Sequence, residues 1–150
     1  MSGKADIARE LFCAGANCAQ AVLGAFAGEC GLTQEDAFRM ASGFGGGLAR
    51  QREVCGAVSG MVLVLNCKYG NADITDKAAK DAHYARVQDL CNAFRQETGS
   101  IVCRELLGLA PGQTDQPRSE ERTGEYYKKR PCADLVALAA ELTEAALAGK

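Results

Sequence analysis

Eight cysteines stand in a chain of 150 residues that has one histidine and no tryptophan. Four of them share an address. Cys18 follows Asn17, which reads as a helix N-cap; Cys103 lies three residues after Ser100, a second expected cap; Cys132 follows Pro131; Cys55 opens an apolar segment after a charged stretch. Each therefore falls in the first turn of a different predicted helix. Each also lies on that helix's apolar side, Cys18 with Ala21 and Val22, Cys55 with Val58 and Val62, Cys103 with Leu106 and Leu107, and Cys132 with Leu135 and Val136. The thiolate is the form of cysteine that binds metal and attacks disulfides. A helix N-terminus favours that anion through its unpaired N–H groups and about half a positive charge.

Three chemistries fit four such sulfurs brought together. As metal ligands, Cys18, Cys55, Cys103 and Cys132 match the ligand number of tetrahedral zinc or a common iron–sulfur cluster. As redox thiols, Cys55 attacks or is oxidised, and Cys18, Cys103 or Cys132 resolves it as a disulfide. As buried inert thiols, they belong to a non-catalytic helical interaction module. Cys55 is the expected exposed member, because it follows a flexible charged loop. No Cys-x-x-Cys pair occurs, and the four lie 37, 48 and 29 residues apart, so spacing alone does not locate a metal site.

The other four lack the address. Cys13, Cys30 and Cys67 fall near predicted helix C-termini, where the dipole disfavours a thiolate, and Cys91 sits mid-helix on an apolar stripe. All four read as small buried hydrophobes. The run Gly43-Phe44-Gly45-Gly46-Gly47 can approach an anion or cluster through the backbone N–H groups of Gly45, Gly46 and Gly47, or simply make a tight connection. It is not a dinucleotide fingerprint, because the glycine register is wrong and no strand precedes it. Arg50 and Arg52 read as solvated loop charges, although they could hold negative charge near Cys55. His83 reads as a core-edge residue outside the site, and a single histidine leaves no defensible hydrolase triad.

The elements that must position these residues are helical. Apolar residues recur at helical spacing over Lys4–Cys13, behind Asn17, behind Thr33, from Thr75 to about Glu97, after Ser100, and from Pro131 to Gly149, whereas the apolar segment 54–65 is ambiguous by periodicity. Met61-Val-Leu-Val-Leu65 would suit a buried strand, but no other segment offers it a partner, so a central helix is expected. Residues 109–130 read as a long exposed polar loop, including Tyr126-Tyr127-Lys128-Lys129-Arg130. The reading is an all-α bundle of about six helices over residues 1–150, in a single domain.

Composition narrows the partners. With 17 basic and 19 acidic residues, the net charge is -2, which gives no reason to expect nucleic acid or an anionic membrane. No apolar run approaches the roughly 18 residues of a membrane span. The first ten residues lack a signal-peptide core, and a cytoplasmic protein is expected. About 5% cysteine is below the 8–10% of disulfide scaffolds.

At these residues the sequence resembles the C-GCAxxG-C-C family of small redox-active proteins. The matching pieces are Asn17-Cys18-Ala19-Gln20-Ala21-Val22, the glycine run, Cys55-Gly56-Ala57-Val58-Ser59-Gly60, Gly99-Ser100 leading to Cys103-Arg104-Glu105-Leu106-Leu107-Gly108, and Pro131-Cys132. The central motif stands here as Cys-Gly-Ala, an order that differs from the family label. The resemblance implies that Cys18, Cys55, Cys103 and Cys132 are the signature cysteines and that their role is redox. It leaves open a metal, a disulfide or free thiols. Expected partners are a redox protein or a small-molecule oxidant or reductant, and the chain is expected to pair as a homodimer.

Overall fold

The computed structural model describes residues 3–149, apart from the side chains of Lys128 and Lys129. Eight helices run through it: α1 (Lys4–Cys13), α2 (Cys18–Ala25), α3 (Gln34–Ala41), α4 (Gly56–Tyr69), α5 (Lys77–Thr98), α6 (Cys103–Leu106), α7 (Gly124–Lys129) and α8 (Cys132–Gly149). Six are long, and no strand is present among the described residues. The all-α expectation therefore holds. None of the helices is long and apolar enough to cross a membrane.

The helix starts follow from local chemistry. Asn17 and Gln20 form a reciprocal capping box at α2, each side chain accepting from the other's backbone N–H at 2.9 Å. Thr33 accepts from Asp36 N at 3.0 Å to open α3, and Asp76 caps α5. Two expected starts shift. Ser100 bonds Val102 N, and α6 begins at Cys103 with Val102 as its cap residue. Pro131 lies just outside α8, with its carbonyl accepting from Leu135 N at 3.0 Å.

Helices α1, α2, α4 and α8 pack on one another around Phe12, Leu23, Phe26, Met61, Leu65 and Val136, with α5 adding Phe94. The apolar segment does form a central helix, over Gly56–Tyr69 rather than 54–65. It lies close against α2 because Gly56 and Gly60, one turn apart, face it. A Cβ on Gly60 would lie 2.7 Å from Val22 Cβ, and one on Gly56 would lie 3.1 Å from Cys18 Cβ. That close approach sets the start of α4 beside the start of α2.

Between α3 and α4 the chain coils the opposite way. Gly46, Gly47, Leu48, Ala49 and Arg50 all have positive φ, and so does Arg52. Left-handed backbone costs roughly 1–2 kcal/mol per non-glycine residue, so Leu48, Ala49, Arg50 and Arg52 are strained. Their conformation is held from outside by residues 113–120. Asp115 N donates to Arg50 O at 3.0 Å, and the Arg50 side chain bonds the carbonyls of Gln116 and Arg118. The expected exposed loop at 109–130 is thus a strap folded over this coil, ending in helix α7. The polar tract found partners on the arginines, which composition does not reveal.

Candidate functional site: a four-thiol chamber

The four singled-out cysteines line one cavity of about 60 Å³. Cys18, Cys103 and Cys132 are the first residues of α2, α6 and α8, and Cys55 is the residue that caps α4. Two local devices bring them together. The glycine contact between α2 and α4 joins Cys18 to Cys55. An isolated antiparallel bridge between Val54 and Val102 joins Cys55 to Cys103, with Cys55 N donating to Ile101 O at 2.8 Å and Cys103 N to Glu53 O at 2.6 Å.

The sulfurs differ in environment. Cys18 and Cys132 are half-buried hydrogen-bond partners. Their interaction raises the Cys18 thiol well above the usual range and lowers Cys132 to about 7. Burial works against Cys132 ionising, while the positive charges of Arg130, Arg52 and Arg122 favour it. Cys55 was expected to be the exposed member, and the structure reverses this: it is only 4% exposed. Burial pushes its thiol up to about 12 against the pull of the Ala57 and Val58 amides. The flexible charged loop expected before it is the strained coil, whose Gly46, Gly47 and Arg52 line the chamber. Burial also raises Cys103, opposed by Arg52, whose Nη1 donates to Cys103 Sγ at 3.6 Å.

The arginines were the main feature missed. Arg52 is not a solvated loop charge; it is 4% exposed and is also held by Asp115 at 2.7 Å. Arg122 donates to Phe12 O at 2.9 Å and Ala16 O at 3.0 Å and lies 4.5 Å from the Phe12 ring centroid. Arg130 contacts Glu120 and sits over the Tyr126 ring. Arg122, Tyr126 and Arg130 all come from the tract read as a polar loop, yet all three line the chamber. The only sequence signal for them was cationic residues just before Pro131-Cys132. Of the glycines, Gly46 and Gly47 line the chamber, while Gly45 lines the vestibule in front of it. A Cβ on Gly47 would lie 2.7 Å from Cys103 Cβ.

The remaining candidates lie elsewhere. His83 bonds Asn66 at 2.7 Å and Arg86 at 3.0 Å, outside the lining of the four-thiol chamber, and its pKa is lowered by burial and by Arg86. Cys91 is half-buried, whereas Cys13 and Cys67 are exposed rather than buried as expected. Cys30 hydrogen-bonds Cys67, and burial, then that partner, pushes it up to about 12.

Four thiols on one chamber have the stoichiometry of a metal site. Among the described residues, however, no three Cys, His, Asp or Glu side chains are placed to hold one metal ion. A family model described as "Putative redox-active protein (C_GCAxxG_C_C)" matches residues 16–146. No curated protein and no solved structure matches the chain.

Proposed function

The chain belongs to the C_GCAxxG_C_C family, described as redox-active, and from that premise we propose a dithiol–disulfide redox protein in which Cys132 attacks and Cys18 resolves. One observation carries this reading: the two cysteines are near neighbours at the first residues of two helices, in a chamber that Arg52, Arg122 and Arg130 also line. The Cys132 thiolate attacks one sulfur of a substrate disulfide, forming a mixed disulfide as the substrate S–S bond breaks and its second sulfur leaves as a thiolate. Cys18 then gives up its proton to that thiolate or to water and attacks Cys132 Sγ. The Cys18–Cys132 bond forms, and the other half of the substrate departs as a thiolate. Two electrons have passed from the dithiol to the substrate. An external thiol reverses the exchange and restores the dithiol, a cycle suited to a reducing compartment such as the cytoplasm.

Of the sulfurs, Cys132 suits the first step because it combines thiolate character with partial access. Cys55 lacks both, which moves the attacking role from the residue favoured by sequence to the first residue of α8. A metal-bound form is a second reading, favoured by the four sulfurs sharing one chamber, and it requires the thiols to close in.

The test is anaerobic purification with metal and acid-labile sulfide analysis, followed by mass-spectrometric mapping of thiols and disulfides. Fast alkylation of Cys132 at neutral pH, and a Cys18–Cys132 disulfide after mild oxidation, support the dithiol reading. Stoichiometric zinc or iron with sulfide, lost together with Cys→Ser at any of the four, would replace it. Slow alkylation at all four with no metal would leave an inert helical module.

A further inference from the structure

In front of the thiol chamber lies a second, larger cavity of about 270 Å³. The two share Arg52, Arg122, Arg130 and Tyr126 in their walls, so the outer cavity is the vestibule of the inner one. Arg50 adds a fourth guanidinium to the vestibule. Against these four cations stand Asp115, which holds Arg52, and Glu120, which contacts both Arg50 and Arg130. Two positive charges are therefore left over, and among the described residues no carboxylate lies within ion-pair distance of Arg122. Its hydrogen-bond partners are two backbone carbonyls and the Tyr127 hydroxyl, and its guanidinium lies over the Phe12 and Tyr126 rings.

Glu120 is informative in itself. Its carboxylate sits between two arginines at the entrance, 3.4 Å from Arg50 Nη2 and in contact with Arg130. The chain thus fills, from within, a two-guanidinium cradle shaped for a carboxylate or phosphate. The inner chamber, at about 60 Å³, takes only a few water-sized groups. A substrate must leave most of its bulk in the vestibule and present one small reactive terminus to the sulfurs.

We propose that this vestibule selects small organic anions, namely carboxylate- or phosphate-bearing molecules with a disulfide or other sulfur electrophile at one end, and that Glu120 competes with them for Arg50 and Arg130. The inference rests on the dithiol reading and names its substrate class. The anionic end is held by the arginines while the electrophilic end reaches Cys132. A cleft lined by one sign of charge raises the local concentration of its counter-ion by 10-fold or more.

Two alkylating probes of the same reactive group and different charge test this, iodoacetate and neutral iodoacetamide, used at matched pH on the intact protein. The readout is the iodoacetate-to-iodoacetamide rate ratio at Cys132, divided by the same ratio at the exposed Cys13. Because both probes meet the same sulfur, the ratio is insensitive to how much of it is ionised. The expected value is about 10. Arg130→Gln should bring it to within about twofold of unity, and inorganic phosphate should suppress it in the wild type. Glu120→Gln, at an exposed entrance position, should raise it. A wild-type ratio at or below unity, or one unmoved by Glu120→Gln, overturns the anion selectivity. If instead Cys132 reacts with iodoacetamide no faster than Cys13 does, the dithiol reading fails, and the normalised ratio still reports on the vestibule.

Discussion

Cys18 and Cys132 meet where two helices begin, and Cys30 and Cys67 meet in the turn after α2 and in the last turn of α4. Both are hydrogen-bonded thiol pairs within one molecule, and both join segments far apart in the chain. Their surroundings are opposite. The first pair sits on the positive ends of α2 and α8 with Arg52, Arg122 and Arg130 around it, and one sulfur is lowered to about 7. The second has the negative end of α4, with Lys68 favouring a thiolate and Glu29 opposing it, and Cys30 is pushed up to about 12. Contact between two thiols therefore does not make a redox centre. The field around the pair decides whether one sulfur ionises.

The largest expected difference is in reactivity. At pH 7 a thiol at about 7 is half ionised, whereas one at about 12 is ionised to about 1 part in 10⁵. Lower intrinsic nucleophilicity of the more acidic thiolate takes back part of this, leaving about two to three orders of magnitude between Cys132 and Cys30. Iodoacetamide labelling followed by peptide mapping measures both rates in one sample. Equal rates would dissolve the contrast between the pairs.

Two glycines sharpen it structurally. Gly47, beside the chamber, and Gly31, beside Cys30, have nearly the same positive φ, +70° and +72°. A methyl on Gly31 meets nothing within 4 Å, so Gly31→Ala costs only the roughly 1–2 kcal/mol of left-handed backbone. Gly47→Ala adds clashes with Cys103 Cβ and with the backbone of Arg52 and Glu53, and should cost about 2–5 kcal/mol in all. Thermal melts of the two variants should differ by several degrees. Equal losses would show that the chamber wall gives way readily.

Within the chamber, Cys55 contrasts with Cys132. Its folded pKa is raised, so the stability linked to its protonation is fully present below about 8.5 and is lost as pH climbs toward about 12. Over that window one such group removes up to ~1.4 kcal/mol per pH unit. Cys55→Ala should flatten the alkaline limb of a urea-denaturation stability curve, and an unchanged slope would mean that the site is wetter than its burial indicates.

The smallest effect belongs to the pair itself. Cys18→Ala removes the hydrogen bond to Cys132, moving the midpoint of its pH–labelling profile upward from about 7. The shift should slow labelling at pH 7 by about threefold, since greater nucleophilicity offsets most of the lost ionisation. Cys18→Ser keeps a donor and should largely restore the midpoint, yet neither variant can form the disulfide. A midpoint untouched by Cys18→Ala would assign the lowered value to the arginines alone.

Helices, caps and the grouping of four cysteines were legible along the chain because they depend on neighbours a few residues apart. Asn17 alone and Thr33 with Asp36 each mark a helix start within one turn, and the lack of any strand partner for residues 61–65 points to the central helix. Cys55 was misjudged because exposure depends on what packs above a residue. A loop that looks free in sequence is held in place once residues 113–120 bind it. Arg122 and Arg130 went unrecognised for the same reason, as a polar tract carries no mark of the cavity it will face.

The order of the amino acids thus determined that helices would form and that four sulfurs would stand at their positive ends. Both are local matters of backbone hydrogen bonding and side-chain spacing. Which sulfur becomes the thiolate was decided only in three dimensions. That choice depends on Coulomb interactions and burial among Cys18, Arg52, Arg122, Arg130 and Cys132, groups that the chain separates by up to 114 positions and the fold places around one small chamber.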